Sequence, residues 1–412
     1  MLLNGECRTN DDSTLIPTSL REPVPMPGSS GSSPSAAVAK VVARTDLHHC
    51  DAWSHAFQNK CQDHRYYEIV EDTVEGGFEH RYLLLEDCSG NARAVQPVFF
   101  VRQNLIEGMP GKISALVDGV RKIFPRFLTM RVLMVGCAAG TGDLAATGEK
   151  DELWLANALQ TNLLQYARQN KASLIVLKDF PASYRSTLEI FRLNGYTRIP
   201  SMPMTRLPLP YKNWDDYFRT LSKATRKDLR RKFRKAELAP KIELEVVNDI
   251  TAAVDEIYPL YLAVHERSPL KFETLTRDYF RAVGQRMPER ARFFIWRQQG
   301  RIVAFSFCLV HNDNIYDVCI GLDYKVAFDL HLYFYTLRDI LSWSIDHNLK
   351  YYYSNPLNYE PKLHLDCELV PLDLYVTHTN PALKPIFRRL LKYLGPTRHD
   401  PILARFPNAD QL

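Results

Sequence analysis

Two stretches of this chain carry the same succession of strand, turn and helix signals, and any fold must place both. In the first, residues 66–71 and 81–86 read as short strands. The turn cluster Cys88-Ser89-Gly90-Asn91 leads into a strand over 92–103. An apolar strand over 132–137, a helix over about 151–169, a strand over 173–177, a helix near 186–193 and a strand over 202–207 complete it. In the second, a strand over 292–297 turns at Gln298-Gln299-Gly300 into 302–310. That strand turns at His311-Asn312-Asp313-Asn314 into 315–321. A helix over 331–347, a strand over 349–354, a loop through Lys362, a strand over 372–376 and a helix over 382–394 follow. Even the helix-to-strand joints echo one another: Gln169-Asn170-Lys171 enters Leu174-Ile175-Val176, and His347-Asn348-Leu349-Lys350 enters Tyr351-Tyr352-Tyr353. Repetition at this scale reads as duplication of an α/β unit.

The rest of the chain sets the boundaries. Residues 1–45 are rich in Ser, Pro, Gly and Thr, cannot bury enough surface to offset chain entropy, and are expected to be a disordered tail. The expected modules are 46–210 and 241–412, with a helical connector over 211–240. At 412 residues the chain has room for two such domains. Basic and acidic residues number 52 and 47, a balance unlike that of a dedicated nucleic-acid binder. The eight cysteines include no Cys-x-x-Cys pair, and several lie in apolar strand-like runs. They read as reduced, buried thiols, which suits a cytoplasmic protein. No apolar run is long enough for a transmembrane helix, so no integral membrane association is expected.

The connector concentrates charge. Asn213 is placed to cap one helix and Ser222 a second. From Lys223 to Lys235 eight cations oppose the single acid Asp228. Like charges on a helix repel, and a phosphate-bearing partner relieves the strain. Arg226, Arg230 and Arg234 lie at i, i+4 and i+8, one row that can face a CoA tail, tRNA or another phosphate. A solvated face paired with acids elsewhere explains the same pattern. Ser306, inside the strand over 302–310, joins this row in the candidate substrate- or phosphate-binding set.

Two other patterns are weaker. Gly136, Gly140 and Gly142 follow an apolar strand as in a nucleotide-binding loop. However, no helix opens at once, and the next strand-end acid, Asp179, comes 37 residues after Gly142. These glycines read as a sharp turn or a close approach to substrate. His48, His49, Cys50, Cys61 and His64 match no common zinc spacing, so no metal is expected.

The stretch from Leu221 to Glu237 resembles the opening of the C-terminal module of Fem-like GNAT acyltransferases, the group that includes acetyltransferases linked to cellulose biosynthesis and proteins of peptidoglycan biosynthesis or recognition. Leu177-Lys-Asp-Phe-Pro181 with Asn194-Gly-Tyr196, Ile320-Gly-Leu-Asp-Tyr324, Asn358-Tyr-Glu-Pro-Lys362 and Pro371-Leu-Asp-Leu-Tyr375 extend the resemblance over roughly residues 60–395. The fold it implies is α/β (α+β): two tandem GNAT-like modules, each a mixed, mainly antiparallel sheet flanked by helices, joined by the basic helix. The chemistry it implies is N-acyl transfer from acyl-CoA or a similar thioester to a small amine or peptide-like acceptor. Aminoacyl-tRNA-dependent peptidyl transfer to a cell-wall or peptide precursor is the alternative, and a non-catalytic binding module a second one. The family's pyrophosphate loop is glycine-rich, whereas residues 324–332 contain no glycine.

Acyl transfer needs a base for the amine, a donor for the oxyanion and an acid for the leaving group. Asp323, at a strand end, is the candidate base, although a turn carboxylate capping the next segment looks the same. The family places a Tyr and a Lys in its closing loop, which implies Lys362 at the oxyanion with Tyr359 beside it; a surface lysine and a core tyrosine are the other reading. Tyr324 is the candidate acid, with packing as its other reading.

Overall fold

The computed structural model describes residues 2–3, 37–104, 129–146, 149–269, 271–391 and 395–412. In chain order the first module runs β1 (Leu2–Leu3), β2 (Val38–Val42), α1 (Asp51–Ser54), α2 (His64–Thr73), β3 (Glu79–Glu86), β4 (Ala92–Asn104), β5 (Thr129–Val135), α3 (Glu149–Gln169), β6 (Leu174–Pro181), α4 (Glu189–Leu193), β7 (Thr197–Pro200) and β8 (Met204–Pro208). Two connector helices follow, α5 (Trp214–Thr220) and α6 (Lys223–Leu238). The second module runs β9 (Ile242–Val247), α7 (Val254–His265), α8 (Arg277–Arg286), β10 (Ala291–Gln298), β11 (Arg301–His311), β12 (Asn314–Leu322), α9 (Leu332–Asp346), β13 (Tyr351–Ser354), α10 (Tyr359–His364), β14 (Glu368–Val370) and β15 (Leu372–His378). Helices α11 (Lys384–Leu391) and α12 (Pro396–His399) come last.

From β2 to β8 and from β9 to β15 the strands and α-helices fall in the same order. Each module has an antiparallel run of four strands, with two helices after the first strand. A long helix then returns to one parallel strand: β5 with β6, and β12 with β13. The two sheets are therefore mixed and mainly antiparallel, as the sequence led us to expect.

The last strand of each module does not stay at home. The first sheet is ordered β1-β2-β3-β4-β5-β6-β15-β7, and the second β14-β8-β13-β12-β11-β10-β9. Strand β15 thus sits between β6 and β7 of the first module, and β8 between β13 and β14 of the second. In the sequence 202–207 reads as the strand closing the first half, and the structure corrects that. Residues 241–412 expressed alone leave β13 and β14 without their shared neighbour. They are expected to be insoluble by gel filtration, whereas co-expressed 1–210 and 211–412 should elute together. Soluble, monomeric 241–412 would contradict this.

Other departures have local causes. Residues 66–71, aromatic and β-branched enough to read as a strand, lie in α2. There Asp63 accepts from the Arg65 amide at 3.1 Å as N-cap, and Tyr66, Tyr67, Ile69 and Val70 fall on one buried helical face. Val38–Val42, expected within the 1–45 tail, pairs with β3 instead. The tail residues 4–36 lie outside the described residues. Helices α7 and α8 have no counterpart in the sequence reading. The caps do: Asn213 Oδ1 accepts from the Asp216 amide at 2.9 Å, and Ser222 Oγ from the Thr225 amide at 3.1 Å. The basic helix α6 buries Leu229, Phe233 and Ala236 and packs against α9. Among the described residues no helix is long and apolar enough to cross a membrane.

Candidate functional site

The parallel pair of the second module comes apart partway along. Strands β12 and β13 are in register from Asn314 and Tyr351 to Asp317 and Ser354, where pairing stops. The cause lies on the other edge of β12. Its register with β11 shifts so that Phe307 faces Cys319 and Cys308 faces Asp317, leaving Val318 as an extra residue. Such a bulge bends and twists its strand. The Asn355 amide donates to the Asp317 carbonyl at 3.2 Å, and its side-chain nitrogen to the Val318 carbonyl at 2.9 Å, so Asn355 closes the crotch. Beyond it β12 runs on to Leu322 with β11 as its only partner strand among the described residues.

The equivalent fork in the first module is filled. After β5 the loop 136–142 folds back along β6, with the Gly142 amide donating to the Asp179 carbonyl at 3.0 Å and Lys178 Nζ to the Gly140 carbonyl at 3.0 Å. Gly136 has φ +128, and a Cβ on Gly142 would lie 2.2 Å from the Lys178 carbonyl oxygen. The glycines that resemble a nucleotide loop serve this tight return. Gly142→Ala is expected to cost about 3 kcal/mol through overpacking, read as a lower urea midpoint. Gly395→Ala, with open space around it, should leave the midpoint unchanged.

The open fork leads into a cavity of 1330 Å³ lined by both modules. Lys362, on α10, is 4% exposed and lines it, donating to the Asn355 carbonyl. Burial pulls its amine down from 10.5 to about 8, against the pull of Cys367 and Asp317. Asp317 stands where the strands part. It accepts from Ser306 Oγ and from Tyr352 Oη, each at 2.7 Å. Burial raises its carboxyl above the usual range, while the two hydroxyls and the Lys362 cation oppose the rise. Tyr333, in the first turn of α9, also lines the cavity, and its phenol is raised by burial and by Asp317. Beside the fork Tyr316 and Tyr353 stack at 4.8 Å and 11°.

Sequence reasoning missed Asp317. Its signal was a lone carboxylate inside the apolar strand 315–321. A buried charge is tolerated only with partners, and those partners sit on β11, β13 and α10.

The residues singled out from sequence fall in three groups. Lys362 and Tyr324 line the cavity; the Arg267 guanidinium lies 3.9 Å above the Tyr324 ring, and burial raises the phenol. Asp323, Tyr359 and Ser306 sit behind the cavity wall. Asp323 accepts from the Lys325 amide at 3.0 Å and faces Arg301 at 3.4 Å, capping a turn. Tyr359 is fully buried and donates to the Pro203 carbonyl at 2.8 Å, tying α10 to the first module's last segment. Ser306 is fully buried, with its hydroxyl bonded to Asp317. The arginine row lies outside the cavity. Arg226 donates to the carbonyls of Arg219 and Leu221, Arg230 lies 5.1 Å over the Phe218 ring, and Arg234 is exposed.

Across the cavity the first module and α7–α8 supply a second polar wall. Lys178 pairs with Asp179 at 2.8 Å, and burial raises the Glu273 carboxyl while Lys178 opposes the rise. Lys60 joins Asp143 at 3.0 Å and Tyr184 Oη at 2.7 Å. Sequence reasoning anticipated none of these. Among the described residues no group of three side chains could hold a metal ion.

The segment entering α9 closes on itself. The amides of Val326 and Ala327 donate to the Asp323 carbonyl at 3.1 and 2.9 Å, that of Leu330 to Val326 at 3.0 Å, and that of Leu332 to Ala327 at 3.0 Å. His331, just ahead of α9, takes φ 50 and ψ 42 to make the last of these bonds. Amides spent in this way are not free to hold a pyrophosphate.

Comparison with known proteins agrees with this architecture. Residues 223–360 match the family described as acetyltransferase (GNAT) domain, the segment that holds the open fork. Proteins of two Mycobacterium tuberculosis strains, each named putative 8-amino-7-oxononanoate synthase 2, are 21% identical over 334 residues, 79% of this chain and 43% of theirs. The chain thus spans less than half the length of those curated relatives. The crystal structure of FemX superposes with a TM-score of 0.50 at 12% identity, over 81% of this chain and 96% of that one, a likeness of fold. The C-terminal domain (DUF2156) of a putative lysylphosphatidylglycerol synthetase from Agrobacterium fabrum gives 0.45 at 13% identity, over 78% and 92%.

Proposed function

We propose that this chain, whose residues 223–360 match the acetyltransferase (GNAT) domain family, is an acyltransferase that moves an acyl group from a CoA-type thioester to an amine acceptor at the fork of β12 and β13. The observation that carries the reading is that Lys362 and Asp317 both line one large cavity beside that fork, close enough for each to feel the other's charge. The free edge of β12 offers backbone groups to an extended donor, and the parting strands leave room for its carbonyl. Asp317, whose charged form two hydroxyl donors favour against burial, takes the proton of the attacking amine as the carbon–nitrogen bond forms. Protonated Lys362 faces the oxyanion of the tetrahedral intermediate. When that intermediate collapses, the carbon–sulfur bond breaks and the departing thiolate takes a proton from Lys362 or Tyr333.

The acceptor enters from the opposite wall. Glu273 and Asp179 favour the ammonium of an incoming amine, and Lys178 and Lys60 favour a carboxylate on the same molecule. This suits an amino-acid-like or peptide-like acceptor. Free thiols at Cys61, Cys137, Cys308, Cys319 and Cys367 suit a reducing compartment such as the cytoplasm.

The test is thiol release from a panel of acyl-CoAs with amino acids and short peptides as acceptors, followed by mass spectrometry of the products. Amide product with stoichiometric thiol supports the reading. The panel giving no thiol above the uncatalysed rate, with aminoacyl-tRNA giving product instead, would replace it with the tRNA-dependent alternative.

A further inference from the structure

We infer that the face formed by α6 and the segment 323–331 is a docking surface for an acidic carrier protein that delivers the acyl group on a phosphopantetheine arm. This rests on the acyl-transfer reading and adds the form in which the donor arrives.

Three observations converge. The first is charge. On α6, Asp228 pairs with Arg231 and Lys232 at 2.8 and 2.6 Å, and Glu237 faces Arg338 at 3.5 Å. Lys223, Lys227, Arg234 and Lys235 are exposed beyond those pairs. A surface of this sign steers an acidic partner towards itself. The second is position. Lys232 Nζ lies 3.5 Å over the Phe334 ring, in the first turn of α9. Burial and the nearby cations Lys235, Arg231 and Lys232 hold the His331 imidazole below its usual range. The basic face is therefore continuous with the segment that ends in α9. On that segment Phe328 is 70% exposed, its ring 5.3 Å from that of Tyr324, a large apolar side chain of the kind that anchors protein interfaces.

The third is reach. Tyr324 and Leu322 line the cavity at the segment's edge, and Asp317 lines it at the fork. Leu322 and Asp317 are five residues apart, about 16 Å along an extended strand. That is the scale of an extended phosphopantetheine arm, and an arm laid along β12 brings its thioester to Lys362. The amides of Val326, Ala327, Leu330 and His331 are already bonded to the segment's own carbonyls and that of Lys325 to the Asp323 carboxylate, which reduces the grip on a nucleotide pyrophosphate. On a carrier protein the partner's surface supplies that grip. A nucleic acid also matches the charge, but it uses neither an exposed Phe328 nor a thioester-length channel as directly.

The experiment measures binding and turnover separately. The full chain is titrated against dye-labelled holo acyl carrier protein by fluorescence anisotropy, with octanoyl carrier protein and octanoyl-CoA compared as donors. Saturable binding that weakens with salt is expected, with kcat/KM for the carrier-bound donor at least about tenfold above that for octanoyl-CoA. Combined Lys227→Glu, Arg231→Glu and Lys235→Glu should weaken carrier binding at least about tenfold, and Phe328→Ser alone about threefold or more. No carrier binding, or binding that the reversals leave unchanged, overturns the inference. Thiol release from octanoyl-CoA in that case leaves the acyl-transfer reading in place. Carrier binding without turnover of either thioester sinks the acyl-transfer reading and keeps the docking surface. Retention of tRNA on α6 with no carrier binding assigns the face to nucleic acid and overturns the inference as well.

Discussion

Lys362→Met is expected to yield a protein that is more stable than the wild type and nearly inactive. The buried amine is pulled from 10.5 to about 8, so the folded state releases its proton before the unfolded chain does. Between about pH 8 and 10.5 the unfolded state holds more protons, and stability rises with pH across that window. Below it both states are charged, and the folded protein carries the full cost of burying the cation. That cost is on the order of 3 kcal/mol, from 1.36 kcal/mol per unit. Methionine keeps the side-chain volume and removes the charge, so the urea midpoint at pH 7 should rise. Activity should fall by about 10²–10³ as the oxyanion loses its partner. Wild-type kcat/KM should also decline above about pH 8, as Lys362 loses the proton it presents. A variant with wild-type kcat/KM would remove Lys362 from the mechanism, and one less stable than the wild type would contradict the burial cost.

Asp317→Asn should lower kcat by about 10²–10⁴, the usual loss for a missing general base. The shape is kept, and relief of a buried carboxylate offsets the imperfect match of an amide to two hydroxyl donors. Stability should therefore change little while turnover collapses. Ser306 is the distinguishing control, because it acts through Asp317 as a positioning residue. Its hydroxyl favours the charged form of Asp317. Ser306→Ala should therefore move the acidic limb of the rate profile to higher pH, with a smaller loss of kcat at the plateau. An unmoved limb would mean that Asp317 does not set it.

How much of this was legible in the sequence depended on how local the signal was. The hairpins were legible because Gln299, Gly300, Asn312 and Asp313 adopt positive φ, as their residue types at the turns announce. The capped connector was legible because Asn213 and Ser222 act within three residues of themselves. The α2 helix was misread because a face of tyrosines, isoleucine and valine suits a strand equally well, and only the Asp63 cap argued otherwise. The exchange of β8 and β15 had no local signal at all, since a strand's partner is chosen by sheets assembled far away in the chain. The site divided along the same line. Lys362 was reached through its motif. Asp317 gains its meaning from a bulge opposite Phe307 and Cys308 and from hydroxyls on β11 and β13. Asp323 and Tyr359 had the right residue types at a strand end and a closing loop, but the structure commits Asp323 to a local turn and Tyr359 to the distant Pro203 carbonyl.

The traded strands β8 and β15 also fix how this molecule can breathe. Each half is buttoned into the other by main-chain ladders on both sides of the shared cleft. Swinging the halves apart would tear two ladders together, and the clam-like closure familiar from two-lobed enzymes is not available. Admission of substrate and escape of product fall to side chains and short segments at the rim, such as the stretch bearing Tyr324 and Phe328. Turnover should accordingly respond to crowding of that rim far more than to solvent viscosity acting on the molecule as a whole.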